Sequence, residues 1–308
     1  MGWIKRGLVF QPQRPSDLFA HAQVPTVLPL GEILRIYYAD RDRRGKSYIA
    51  SIDVSTKNPQ KIVDAREGPL MVAGDPGTFD DDGMMPSAAV RAGDRIFLYY
   101  TGWNQGVTVP YRNSIGLAVS DDGGVSFRRM YQGPIMDRTA EEPYLAVTPC
   151  VLREDERWRM WYVSGLSWTN VDNRLEPVYV IKDAFSEDGI RWDRPNRLCI
   201  EQRHELEAFS RPWVVRTGDS YAMWFSARDS RDYRNGAGAY RIGYATSEDG
   251  TNWKRDDAAG GLVVSADGWD AKMTCYPCVV RTVDALLLFY NGNGFGSSGF
   301  GYAEWKSR

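Results

Sequence analysis

Five prolines divide this chain. Pro25, Pro86, Pro149, Pro212 and Pro277 recur at spacings of 61, 63, 63 and 65 residues, each within a short apolar run. An aromatic pair follows each one: Tyr37-Tyr38, Tyr99-Tyr100, Trp161-Tyr162, Trp224-Phe225 and Phe289-Tyr290. A third run comes next, such as Ile115-Gly116-Leu117-Ala118 or Ile242-Gly243-Tyr244-Ala245. In the middle three copies it ends in Ser-x-Asp-Gly and an aromatic, reached at Phe127, Trp192 and Trp253. Self-similarity at a fixed period means repeated units that bury their faces against one another.

Each run is short and rich in β-branched and aromatic residues, with Gly, Asp and Asn between runs. That is a strand-and-turn pattern, and no long stretch carries apolar residues at helical spacing. The repeat predicts an all-β fold, a five-bladed β-propeller with four antiparallel strands per blade. One domain over residues 1–308 is expected, with blades anchored near the five prolines. Gly2-Trp3-Ile4-Lys5-Arg6 reads like the fourth run elsewhere, and the last copy stops after its third. The N-terminal strand is therefore expected to close the ring.

The chain has 308 residues, 43% hydrophobic and 13% aromatic, enough for a large core. Its 38 basic and 40 acidic residues give a net charge of −2, which points away from nucleic acid and anionic membrane surfaces. No run approaches the ~18 apolar residues of a membrane span. Cys275-x-x-Cys278 lacks a second pair of ligands, so all four cysteines read as buried thiols of a cytoplasmic protein. No cofactor and no metal is expected.

Antiparallel strands put the start of the first strand and the loop after the second on the same face. Functional residues should precede the anchor prolines or follow the aromatic pairs. The acids on that rim are Asp80 and Asp81 in one repeat and Glu142 in the next, candidates for catalysis because glycosidic cleavage needs paired carboxylates. Substrate-binding candidates are His21, Arg41, Trp103, Arg112, Glu207, Arg211, Asp270, Lys272 and Asn291. Trp103 offers a platform for a sugar face. Arg211 immediately precedes its anchor, and a buried Arg demands an anion or carboxylates. The Ser-x-Asp-Gly turns bond their own backbone and are read as structural.

With its repeat, Leu98-Tyr99-Tyr100-Thr101-Gly102 and Ser247-Glu248-Asp249-Gly250-Thr251-Asn252-Trp253, the chain resembles the five-bladed propeller superfamily of carbohydrate enzymes. That superfamily includes family 43 and 32 glycoside hydrolases and family 130 mannoside phosphorylases. The resemblance implies an enzyme cleaving or transferring a glycosidic bond, and the basic candidates imply an anionic sugar or sugar conjugate as its small-molecule partner. Family 43 enzymes carry an acid one or two residues before the anchor proline in blades one and three. Here those places hold Gln23, Val24, Val147 and Thr148, so the standard catalytic set does not transfer. Phosphorolysis or transfer, and a non-catalytic carbohydrate-binding propeller, are the alternatives.

Overall fold

The computed structural model describes residues 2–12, 21–66, 68–155, 157–234 and 236–306. Strand β1 (Gly2–Phe10) comes first. It is followed by β2 (Gln23–Leu30), β3 (Ile33–Arg41), β4 (Ser47–Ser55) and β5 (Ile62–Ala65). Next come β6 (Gly83–Ala92), β7 (Arg95–Gln105), β8 (Tyr111–Ser120) and β9 (Arg128–Arg129). The third group is β10 (Ala146–Glu154), β11 (Arg157–Val171) and β12 (Arg174–Ser186). The fourth is β13 (Glu207–Thr217), β14 (Ser220–Asp229), β15 (Arg241–Ser247) and β16 (Lys254–Arg255). A single helical turn, α1 (Asp257–Gly260), precedes β17 (Cys275–Arg281), β18 (Leu286–Asn291) and β19 (Phe300–Lys306).

Strands pair antiparallel in chain order within each group, and one parallel bridge, Ser47 to Gly83, joins the first two groups into a single sheet. β1 pairs with β19, so the last sheet reads β1-β19-β18-β17. The third sheet has three strands; isolated bridges of Phe185 to Asp193 and Lys182 to Leu198 stand where a fourth strand was expected. The first strands of successive groups adjoin one another, β2 to β6 to β10 to β13 to β17, and β17 adjoins β2.

The aromatic pair explains how the sheets hold together. Neighbouring residues in a strand point to opposite faces. The first member reaches the turn of the following repeat: Tyr37 Oη donates to Gly124 O at 2.8 Å, Tyr99 Oη to Gly189 O at 2.7 Å, and Trp161 Nε1 to Gly250 O at 2.9 Å. The aspartates of those turns accept backbone N–H groups within the turn, as Asp249 does from Thr251 and Asn252. The turns are thus sockets between sheets.

The anchor prolines have their own geometry. Proline cannot donate to a ladder, and each first strand carries a register shift there, for example between Gln23 and Thr26 and between Cys275 and Cys278. The residue before the proline is left-handed in four repeats: Val24 (φ 57°), Thr148 (φ 45°), Arg211 (φ 51°) and Tyr276 (φ 55°). Each such residue costs on the order of 1–3 kcal/mol. Their amides turn away from their own ladder toward side chains of another strand group. Val24 N donates to Asn291 Oδ1 at 2.7 Å, Thr148 N to Thr101 Oγ1 at 2.9 Å, Arg211 N to Thr148 Oγ1 at 3.3 Å, and Tyr276 N to Ser226 Oγ at 2.8 Å.

Candidate functional site

Three of those four strained residues border a cavity of about 260 Å³ where the first strands meet. Val24, Thr148 and Tyr276 line it, together with Gln23, Val147 and Ser210 from the same strand starts. The second strands add Arg41, Thr101 and Trp103, and the third strands add Tyr111, Asn113 and Tyr179. Tyr240, just ahead of β15, completes an aromatic wall with Tyr276, their rings 5.8 Å apart. No carboxylate lines this cavity among the described residues.

Arg41 is its one lining guanidinium among the described residues. It stacks 5.4 Å over Trp103, donates to Gly45 O at 3.0 Å and approaches Gln23 Oε1 at 3.4 Å. No described carboxylate lies within ion-pair distance of it. Burial holds its pKa below the ordinary value. Trp103 is fixed by donating Nε1 to Ser47 Oγ at 2.7 Å. Asn113 Oδ1 is buried with no partner among the described residues. Buried amides are normally paired, so this atom is a place for a ligand hydroxyl. Burial raises the pKa of Tyr111, Tyr240 and Tyr276, so all three stay protonated donors near neutral pH.

The acids expected to be catalytic are placed elsewhere, in a repeated lock. Asp80 is buried, accepting from Tyr100 Oη at 3.2 Å and pairing with Arg129 at 2.8 Å. Glu142 is buried against Tyr162 Oη at 2.9 Å, Arg194 at 2.7 Å and Lys182 at 3.4 Å. Asp270 repeats the arrangement with Tyr290 Oη at 2.8 Å and Lys5 at 2.6 Å. In the fourth repeat Phe225 replaces the tyrosine, and Glu207 pairs with Arg255 at 2.9 Å while Arg255 stacks on the Phe225 ring. The base stands two residues after the closing aromatic in every case, as in Phe127/Arg129 and Trp3/Lys5. Each lock ties the start of a first strand, or the loop entering it, to the second strand and to the outermost segment of its group. Asp81 is half-buried, accepting from Gly77 N at 2.8 Å and Asn104 Nδ2 at 3.1 Å, and does not line the cavity.

Of the binding candidates, Arg41 and Trp103 line the cavity. Arg112 is exposed, because Tyr111 and Asn113 on either side of it in β8 face inward. Lys272 is also exposed. Asn291 is buried and consumed by Val24 N, Ala22 O and Gly299 O. Glu207 borders a separate cavity of about 500 Å³ with Arg203 and Asp257. Arg211 is fully buried where the first strands converge, donating to Ser87 O, to Pro25 O at 3.2 Å and to Thr26 Oγ1 at 2.8 Å. It pins three first strands to one another. His21 is half-buried near Arg41, its Nδ1 has no partner among the described residues, and its pKa is lowered by burial and by Arg41.

The cavity tyrosines were not singled out from the sequence. Tyr276 immediately precedes Pro277, so the rule that placed Arg211 also pointed to it; Tyr179 and Tyr240 carried no such signal. All four cysteines are buried free thiols. Among the described residues no group of three or more His, Cys, Asp or Glu is placed to hold a metal ion, and no helix is long and apolar enough to cross a membrane.

The fold is that of glycoside hydrolases. A thermostable family-43 glycoside hydrolase superposes with a TM-score of 0.66 at 16% identity, over 92% of this chain and 88% of that one. A glycosyl hydrolase from Bacteroides ovatus gives 0.70 at 14% identity, over 93% of this chain and 84% of that one. Another solved glycoside hydrolase gives 0.75 at 17% identity, over 99% of this chain and 92% of that one. The chain itself belongs to the family of the uncharacterized protein Rv1502 of Mycobacterium tuberculosis. The two are 38% identical over 306 residues, 98% of this chain and 99% of that protein. No family model matches the chain.

Proposed function

We propose that residues 1–308 form one five-bladed propeller domain whose axial cavity binds a sugar carrying an anionic group. The cycle of adjoining first strands and the pairing of β1 with β19 support the architecture. The observation that carries the function is Arg41, a cavity-lining guanidinium on a tryptophan face without a carboxylate partner among the described residues. An unpaired, partly desolvated guanidinium is stabilised by a ligand oxyanion. Trp103, the tyrosines and the orphan Asn113 acceptor supply the ring faces and polar groups that a sugar needs.

Hydrolysis by a carboxylate pair needs two acids beside the scissile bond. Among the described residues the cavity lining offers none, and Asp80 and Glu142 are each held in ion pairs away from it. Recognition without paired-carboxylate cleavage in this cavity is therefore the first reading. Cleavage or transfer of a glycosidic bond is the second, favoured by the glycoside hydrolase fold.

Calorimetry with D-glucuronate, glucose 6-phosphate and glucose tests the first reading. The wild type is expected to bind an anionic sugar, and Arg41→Gln to weaken binding by about tenfold or more, the worth of a charged hydrogen bond. Unchanged binding by Arg41→Gln would remove the axial cavity as the site. Product release from a glycoside panel, with and without phosphate, tests the second reading; turnover that survives Asp81→Asn and Glu142→Gln would exclude those acids from it.

A further inference from the structure

Behind the tyrosine wall lies a second guanidinium. Arg228 is 3% exposed, on β14, and no described carboxylate pairs with it. Its Nε donates to Tyr240 Oη at 3.1 Å, and its Nη2 to Tyr179 Oη at 3.2 Å and to Pro177 O at 2.8 Å. Nη1 donates to Ser230 Oγ at 3.1 Å, and the Tyr233 ring stacks 3.8 Å from the guanidinium carbon. The nearby Glu176 is occupied by Tyr233 Oη at 2.9 Å and by Arg234.

The protons of the tyrosine pair can be counted. Tyr179 Oη and Tyr240 Oη are 3.1 Å apart, and each already accepts from Arg228. Each hydroxyl has one proton to give. Only one of the two can fill the gap between the oxygens. The other has no protein acceptor among the described residues, and both side chains line the axial cavity. The pair therefore keeps one O–H without an acceptor among the described residues, on side chains that line the cavity and beside a cation that no described carboxylate pairs with.

We propose that Tyr179 and Tyr240, backed by Arg228, form an oxyanion seat in the axial cavity. The occupant there is a carboxylate or phosphate oxygen of the ligand rather than a neutral sugar hydroxyl. A hydrogen bond to an ionised acceptor is roughly twice as strong as a neutral one. The oxyanion also supplies the counter-charge that Arg228 lacks. This inference rests on reading the axial cavity as the binding site.

The test is calorimetric titration of the full chain with D-glucuronate, glucose 6-phosphate and neutral glucose. The Tyr179→Phe/Tyr240→Phe double variant, which keeps both rings, should lose about tenfold in affinity for the oxyanion sugar. Each single variant should lose less, because the surviving hydroxyl is freed from its partner and keeps a proton for the ligand. Glucuronate alone binding marks a carboxylate ligand, glucose 6-phosphate alone a phosphate, and either supports the seat. Wild-type affinity in the double variant overturns it, as does glucose binding as tightly as the anions, or no anion binding at tens of millimolar. Arg41→Gln separates the two failures. If it abolishes binding while the double variant does not, the cavity stands and the seat falls; if neither matters, both fall. Thermal unfolding of the double variant confirms that it folds.

Discussion

The Arg211 guanidinium donates through Nη2 to the carbonyl of Pro25, 186 residues earlier in the chain, at 3.2 Å. It is completely buried, stacks 5.0 Å from the Trp213 ring centre, and serves carbonyls of β6 as well. The side chain expected to meet a ligand is a structural pin. Arg211→Met should destabilise the protein by on the order of 3–5 kcal/mol, since it strands several buried carbonyls and leaves a void. Arg211→Lys should lose less, retaining the charge but fewer of the hydrogen bonds. Urea unfolding measures both; equal stability of Arg211→Met and wild type would deny the pin.

Glu142 illustrates the repeated lock. Burial alone would raise its pKa, but Ser164, Arg194, Lys182 and Tyr162 close by outweigh that and hold it below the ordinary 4.5. The unfolded chain then takes up the proton more readily than the folded one. The stabilisation is present above pH 4.5 and is lost as the pH falls through the lower folded-state value. Glu142→Gln should cost on the order of 3–5 kcal/mol at neutral pH, because Arg194 and Lys182 lose their carboxylate. The variant should also show a shallower decline of stability with acid. Acid unfolding curves of the two proteins make the comparison.

The N-terminal strand should behave as a clasp. Trp3 packs edge-on to Trp224 at 5.7 Å and to Trp305 at 5.1 Å, and its Nε1 donates to Gly260 O at 2.8 Å. Trp3→Ala should cost about 2–3 kcal/mol, less than a fully buried tryptophan because Trp3 is half-buried. Removing residues 2–10 should leave β19 as an unpaired edge and produce self-association visible by light scattering. A monodisperse, equally stable truncation would contradict the clasp.

His21 should set a mild acid sensitivity on the cavity side. Its backbone N–H donates to Asp40 Oδ1 at 3.0 Å, while burial and Arg41 lower its pKa below 6.5. The folded state favours the neutral ring, so stability declines as the pH falls through 6.5 toward the folded-state value. His21→Gln should remove that part of the decline. Thermal unfolding between pH 7.5 and pH 5, a range chosen around the ordinary histidine pKa, gives the answer; identical slopes would assign the acid response to other groups.

The five prolines were enough to divide the chain, and all but one of the expected strands form, the fourth of the third group being absent. The pairing of β1 with β19 was readable from Trp3 and Lys5, which copy the Trp253/Arg255 spacing. The third sheet's missing fourth strand was not readable, since Trp192 and Arg194 preserve the pattern while only isolated bridges form. Within the site, proximity to an anchor proline was a poor guide to direction. Asp80 and Glu142 precede β6 and β10 but turn sideways to Tyr100 and Tyr162, the second members of their aromatic pairs. Arg112 is exposed because its neighbours in a period-two strand face inward.

The sequence by itself determined the repeat, most of the strands and the pairing of the first strand with the last. Those follow from local pattern, the fixed φ of proline and the alternation of apolar residues. Only the tertiary structure decided which side chains meet in the cavity. A register shift at each anchor proline resets the alternation of its strand by one residue, and partners far along the chain fix that reset. Asn291 holds Val24 across 267 residues and Ser226 holds Tyr276 across 50. No local rule can see such a partner, so the tyrosine wall and Arg41 meet only when the sheets are assembled.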